Sequence, residues 1–181
     1  MDIKTLKGIA VVAIDDGARL GSVNDVLSDL DHRRVRAFVV SDGGLFGGKN
    51  RILDIGDVQS VGADAVMIQS RDVLKADRED ARYQAYPNLH ALTSLRVVSQ
   101  NGDLVGNIST IHFEASDGAF TDLEISKHGL LGSFQSKIIC PAAAAVSMGR
   151  DVVVIPNDYA GQSQNNEKSG STENLEAPSA S

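Results

Sequence analysis

Cysteine and aromatic residues are scarce in this sequence. Cys140 is the only cysteine in 181 residues, so the chain can form neither an internal disulfide nor a zinc site from several of its own thiolates. There is no tryptophan, and five phenylalanines with three tyrosines leave few rings on which nucleic-acid bases could stack. A single cysteine fits a reducing compartment, and we expect a cytoplasmic protein.

Positive charge and long hydrophobic runs are also lacking. There are 17 Lys and Arg residues against 24 Asp and Glu residues, which gives a formal net charge of -7. We therefore do not expect direct binding to nucleic acid. Only six apolar residues separate Gly8 from Asp15, too few for the hydrophobic region of a secretion signal or for a membrane span, and we expect neither.

An internal repeat is the clearest positive feature of the chain. The second half repeats the apolar and glycine pattern of the first half at a displacement of 85 residues, and the displacement becomes 87 residues by Asp64 and Asp151. The equivalent pairs are Gly17 and Gly102, Leu20 and Val105, Gly21 and Gly106, Val23 and Ile108, Val26 and Ile111, Phe38 and Leu123, Val40 and Ile125, Leu45 and Leu130, and Gly47 and Gly132. This pattern predicts two tandem copies of one small domain.

Each copy consists of short, alternating apolar runs separated by turn residues, which is typical of a small all-β barrel. The Asp16-Gly17 and Asn101-Gly102 pairs lie at equivalent positions and predict type I′ hairpin turns, because glycine and asparagine tolerate positive φ. The predicted strands are Ile9 to Ile14, a strand from Leu20, Arg36 to Ser41, Arg51 to Ile55 and Ala65 to Ile68, then Phe120 to Ser126, Lys137 to Cys140 and Val152 to Ile155.

Two segments outside the barrels have a different composition. Arg71 to Arg82 holds eight charged residues, with Asp72 as a possible helix cap, and predicts a short linker helix. Residues 157–181 are polar and almost without large apolar side chains, which is typical of disorder. The predicted domains are a first barrel at 1–70, a helical linker at 71–90, a second barrel at 91–156 and a disordered tail at 157–181.

Three segments of the first copy resemble the PRC-barrel family, named after the photosynthetic reaction centre. They are Gly17 to Leu27, Val35 to Val40 and Ile52 to Gly62. The resemblance extends from Leu6 to Ile68 and, less closely, from Leu92 to Ile155. In the second copy a Pro141-Ala142-Ala143-Ala144-Ala145 run replaces the family's usual polar turn.

The resemblance implies an assembly module, since family members act as a capping subunit of the reaction centre and as a domain of a ribosome maturation factor. It favours a non-catalytic protein-binding adaptor. The alternatives are a ribosome-assembly or RNA-processing factor acting through a ribosomal protein, and a small-ligand-binding protein or enzyme. Two similar barrels in one chain could also reproduce covalently what a symmetric dimer forms by association, so we expect a pseudo-dimer.

The glycine-rich segment Gly43 to Asn50 contains the GxxxxGK pattern of nucleotide-binding P-loops. However, Asn50 stands where a P-loop requires Ser or Thr, and a strand rather than a helix is predicted to follow. We interpret the segment as an inter-strand loop whose tip carries apolar residues, as does the equivalent loop of the second copy. The predicted partner-contact residues on these two loops are Leu45, Phe46, Leu130, Leu131 and Phe134.

No pattern in the sequence indicates a catalytic, cofactor or metal site. The histidines at 32, 90, 112 and 128 lack the spacing of metal ligands, and no Ser-His-Asp arrangement is recognisable. Cys140 lies in an apolar run, where a small buried side chain is expected rather than a nucleophile. We therefore predict no catalytic residue, cofactor or metal ion, and a protein that is not an enzyme.

Overall fold

The computed structural model describes residues 1–43, 48–76, 81–127 and 137–161, and within these ranges β-strands predominate. The strands of the first unit and the linker are β1 (Ala10–Ala13), β2 (Arg19–Asp29), β3 (Arg34–Ser41), β4 (Asn50–Asp54), β5 (Val58–Val61), β6 (Ala65–Ile68) and β7 (Lys75–Ala76). Those of the second unit are β8 (Arg96–Ser99), β9 (Leu104–Phe113), β10 (Phe120–Ser126), β11 (Lys137–Pro141), β12 (Ser147–Met148) and β13 (Val152–Ile155). The α-helices are α1 (Ala81–Gln84), α2 (Leu89–Thr93) and α3 (Asn157–Ala160), and the 3-10 helices are Ile3–Leu6, Ile55–Asp57, Arg71–Val73 and Ala142–Ala144. The predicted all-β class is confirmed.

The described strands form two sheets with equivalent topology. The first has the order β5-β6-β1-β2-β3-β4-β7 and the second the order β11-β10-β9-β8-β13-β12. The first strand of each unit pairs in parallel with a late strand, β1 with β6 and β8 with β13, while the other neighbours are antiparallel. Two copies of one barrel-type fold therefore lie in tandem, as the repeat predicts.

Both predicted hairpins are present, but the predicted turn type is wrong. The Ala13 amide donates to the Ala18 carbonyl at 3.0 Å, and the Ser99 amide donates to the Asp103 carbonyl at 2.9 Å, so the loops hold four and three residues rather than two. In each loop the glycine supplies the positive φ, whereas its Asp or Asn neighbour does not have one. Longer loops of this kind place a single glycine in the left-handed region, which a type I′ turn does not.

The linker is less helical than its charge pattern predicts. In place of one helix from Arg71 to Arg82, the described residues form the 3-10 helix Arg71–Val73, strand β7 and the short helix α1. Lys75 and Ala76 pair with β4, so their backbone polar groups are satisfied across the sheet instead of along a helix.

The predicted disordered tail begins with an ordered turn of helix. Helix α3 lies at its start, and Tyr159 and Ala160 pack against the core. Lys127 Nζ donates to the Ala160 carbonyl at 3.0 Å. The polar composition of residues 157–161 conceals these two apolar contacts, and residues 162–181 lie outside the described part of the chain.

Buried apolar residues from both units belong to one contiguous core. The largest fully buried side chains of this core are Ile3, Leu6, Phe38, Leu53, Ile68, Leu92, Ile108, Ile111, Phe113, Leu123 and Ile125. Cys140 is also fully buried, as predicted, and burial raises the pKa of its thiol. A shared core indicates that the two barrels fold against each other rather than as separate beads.

The units contact each other through equivalent positions. The Phe113 amide donates to the Met1 carbonyl at 2.8 Å, and the Ser28 amide, 85 residues earlier than that of Phe113, donates to the Pro87 carbonyl at 3.0 Å. In each case the segment before the first strand of one unit lies along the long second strand of the other. The same contact is therefore made twice, as in a symmetric dimer.

A second pair of equivalent contacts joins the tips of the long hairpins. The Val35 amide donates to the Gly118 carbonyl at 2.8 Å, and the Phe120 amide donates to the Arg33 carbonyl at 2.8 Å. Val35 and Phe120 are equivalent in the repeat, as are Arg33 and Gly118. Both members of the second pair have positive φ, 51° for Arg33 and 79° for Gly118.

Arg33 breaks this symmetry because only one unit has a long side chain here. Its guanidinium donates to the carbonyls of Ala142, Ala143 and Ala145 at 3.0, 3.2 and 2.8 Å. These carbonyls belong to the alanine-rich run Ala142 to Ala145 that precedes β12. The first unit thus supplies hydrogen-bond donors to this turn of the second unit.

Candidate functional site

The loop tips predicted to contact a partner lie outside the described residues. Leu45, Phe46, Leu130, Leu131 and Phe134 remain predictions for that reason. The segment after the first loop is described, and it is strand β4 rather than a helix. Because a P-loop needs a helix N-terminus behind its glycines, the structural context differs from that of a nucleotide site.

The outer face of the first sheet is apolar and covered by the linker. Leu27, Ala37, Val39 and Ile52 form a buried cluster with Tyr83, and Tyr86 packs against it. The two tyrosine rings lie 6.4 Å apart with a tilt of 59°. Sequence reasoning missed this cover, because the linker's many charges obscured the two tyrosines that follow them.

Polar contacts hold the cover in place. The Tyr83 hydroxyl donates to Asp54 Oδ2 at 2.8 Å, and Arg36 Nη2 lies 3.0 Å from the same oxygen. Strand β7 extends the sheet beyond β4, pairing Ala76 with Arg51 and Lys75 with Ile52. The first unit therefore protects both its outer face and its β4 edge with the chain's own linker.

The equivalent face of the second sheet has a different chemistry. At the four positions that correspond to the apolar cluster stand His112, Asp122, Glu124 and Ile139. Ile139 is 43% exposed, whereas its counterpart Ile52 is only 1% exposed. In the described part of the chain no strand pairs with the outer edge of β11. An unpaired edge offers backbone donors and acceptors to an incoming strand.

Glu124 organises the charges of this second face. Lys137 Nζ lies 2.6 Å and His112 Nε2 3.6 Å from Glu124 Oε2, and the Ser109 hydroxyl donates to Oε1 at 3.1 Å. Burial by itself would raise the pKa of Glu124, but the hydrogen bonds from Lys137 and Ser109 outweigh it and lower that pKa below its ordinary value. Glu124 therefore stays ionised on a face that also exposes an isoleucine.

Replacing Lys137 by methionine should make stability less dependent on pH. A lowered pKa means that ionised Glu124 stabilises the folded protein above the carboxyl's unfolded-chain pKa, and that this contribution is lost as pH falls through the folded pKa. At neutral pH we expect Lys137→Met to lower the free energy of unfolding by about 0.5 kcal/mol, because the pair is partly exposed. Urea unfolding at neutral pH and near pH 3 checks this, and an equal loss at both would contradict it.

His32 and His112 lie in different units of the fold. His32 is exposed and its Nδ1 lies 2.9 Å from Asp29 Oδ2, while His112 belongs to the second face. Within the described ranges, no three His, Cys, Asp or Glu side chains are grouped closely enough to hold a metal ion. His128 lies outside those ranges.

The fold and the paired contacts define a class of tandem β-barrel proteins whose two copies share one core. A model of the PRC-barrel domain matches residues 1–75 and again 88–162. The chain therefore belongs to the PRC-barrel family and carries two copies of its domain, which confirms the resemblance found in the sequence. None of the curated proteins matches this chain.

The ranges that the family model matches reach beyond the predicted barrels at two points. The match continues past residue 70 to residue 75 in the first copy, and in the second copy it begins at 88, before the predicted start at 91. Both extensions have a structural counterpart, since β7 joins the first sheet and Asn88 caps helix α2 through its Oδ1. Among the helices of the described ranges, none is long and apolar enough to cross a membrane.

Proposed function

We propose that this protein is a non-catalytic cytoplasmic adaptor whose two PRC-barrel units form one body that binds a protein partner. The family match supports an interaction or assembly module. The shared core and the paired contacts support a fixed arrangement of the two barrels, which is what a composite binding surface requires. An adaptor of this kind needs no catalytic group.

The difference between the two outer faces is the observation that carries this proposal. The chain covers one face with its own linker, and the described residues leave the equivalent face of the second unit open around Ile139. In the first unit the cover consists of an added strand and two tyrosines. A partner that adds a strand to β11 would complete the second unit in the same manner.

Ile139→Lys should weaken partner binding strongly without unfolding the protein. A lysine at this position places a charge where the partner would bury an apolar side chain, and loss of a central apolar contact typically costs about 2 kcal/mol, or more than tenfold in affinity. The tagged full-length protein is used to isolate partners from its native host, and each candidate is then purified and titrated against wild type and variant.

Leu104→Lys is the matched control, because Leu104 is 60% exposed on another strand of the same unit. If Ile139→Lys and Leu104→Lys bound the partner equally well, the partner would not contact the face around Ile139. A variant with Leu45, Phe46, Leu130 and Leu131 changed to Ser then tests the loop tips. Retention of ribosomal proteins after nuclease treatment would instead select the ribosome-assembly alternative, and a wild type that binds no purified candidate would contradict the adaptor.

A further inference from the structure

A small cavity lies where the two units and the linker meet. Its volume is about 180 Å³, which is below the range of roughly 300 to 1,000 Å³ usual for drug-sized ligands. It is bounded by the end of β2, the linker before α2 and the segment between β12 and β13. The residues that line it include Ser28, Asp29, Asp31, Tyr86, Met148 and Arg150.

Ser28 is the unusual group in this cavity. The residue is fully buried, and its hydroxyl has no hydrogen-bond partner in the described part of the chain. Leaving a buried hydroxyl unpaired costs about 1 to 3 kcal/mol, and most proteins avoid it. A molecule in the cavity that hydrogen-bonds Ser28 would remove this cost.

In the second unit the position equivalent to Ser28 is occupied by a large side chain. The equivalent of Ser28 is Phe113, and the backbone amides of both residues make the same contact to the other half of the chain. Phe113 is fully buried and part of the core. The chain thus has a large ring at one of two equivalent positions and, at the other, a small hydroxyl beside a cavity.

The charges around the cavity have both signs. Asp29 and Asp31 follow Ser28, and the Asp29 carboxylate is mostly buried, with 14% of its side chain exposed. It accepts from the His32 amide and lies near His32 Nδ1, which leaves capacity on its oxygens. Arg150 contributes a cation, anchored by donation from its Nη2 to the Ala85 carbonyl at 2.8 Å.

We propose that this cavity binds a small zwitterion, a free α-amino acid, with its ammonium group at Asp29 and Asp31 and its carboxylate at Arg150. Charge-assisted hydrogen bonds of this kind are the strongest available to such a ligand. The Ser28 hydroxyl contributes a further hydrogen bond, and Tyr86 and Met148 form apolar walls for a small side chain. Because the lining comes from both units and the linker, the bound ligand ties them together.

The test is calorimetric titration of the full-length protein with glycine, L-alanine and L-serine. Ethylamine and sodium propionate serve as half-ligands that carry only one of the two charges. Saturable binding of at least one amino acid, with a matching rise in melting temperature and with much weaker binding of both half-ligands, is the expected result. No protein partner is needed, so failure here is separate from failure of the adaptor function.

Three variants connect the binding to the cavity. Ser28→Ala should raise the melting temperature of the free protein, because the unpaired hydroxyl is gone. The same change should weaken binding of the amino acid about tenfold, because a hydrogen bond to the ligand is lost. A merely structural serine would not move stability and affinity in opposite directions. Arg150→Gln should weaken binding at least as much, and Arg96→Gln, an exposed arginine on β8, should not.

Ser28→Phe introduces the residue of the equivalent position and should abolish binding by filling the cavity. Two results would overturn the proposal. One is no saturable binding of any of the three amino acids to the folded wild type, which would mean that the cavity holds water only. The other is equal binding of ethylamine or propionate, which would mean that the site recognises a single charge.

Discussion

Gly106→Ala should destabilise the second barrel by about 3 kcal/mol or more. A Cβ atom at this position would lie 2.2 Å from the Ser126 carbonyl oxygen and 3.2 Å from Ile125 Cγ2. The first of these neighbours is backbone in a paired strand, so it can move away only if β9 and β10 separate. The measurement is urea unfolding followed by far-ultraviolet circular dichroism.

Gly21→Ala is the corresponding change in the first barrel and should have a comparable effect. Its Cβ would lie 2.4 Å from the Ser41 carbonyl oxygen. Gly161→Ala is the control, because nothing lies within 4 Å of its Cβ and its φ of -84° suits alanine. A change below about 0.5 kcal/mol at Gly106 would contradict the close approach of β9 and β10.

Arg33→Ala should cost about 2 kcal/mol and weaken the connection between the units. The change removes three hydrogen bonds from a charged donor to the carbonyls of the alanine-rich turn, and such bonds are each worth more than neutral ones. The alanine still has a Cβ atom at a backbone φ of 51°, a conformation that only glycine adopts without strain. We expect unfolding to become less cooperative, because the second unit loses support from the first.

Arg33→Gly separates the two effects of this substitution. It loses the same hydrogen bonds but relieves the backbone strain, so it should be more stable than Arg33→Ala by about 1 kcal/mol. Arg96→Ala removes an exposed arginine of the same chain and should be nearly neutral. If Arg33→Ala were as stable as Arg96→Ala, the guanidinium contacts would contribute nothing to the junction.

Several strands could be predicted to the residue, and others not at all. The alternating runs Ala65–Ile68, Phe120–Ser126 and Val152–Ile155 coincide with β6, β10 and β13. Strands β7 and β12 have only two residues each and form through pairing with a neighbour, so they carry no local pattern that could be read. The Asp-Gly and Asn-Gly pairs could not specify the type of the hairpin turns either, because loop length depends on strand register.

The candidate site was less predictable than the fold. The Ser28 amide bonds Pro87 across 59 residues of chain, and no local signal marks that hydroxyl as unpaired. Likewise, the tyrosines of the linker cover β2 to β4 only because the chain returns to that face. Such contacts depend on the path of the chain, which composition does not specify.

The sequence by itself determined the duplication, the β-class and the inward-facing residues, because repeats and two-residue alternation are local properties of the chain. It also determined the family. Only the tertiary structure decided which copy is covered: Ile52 and Ile139 occupy equivalent positions in equivalent strands, yet one is buried and the other exposed. The physical reason is that burial depends on which distant segment packs against a side chain, and among the described residues the linker tyrosines cover the outer face of the first copy alone.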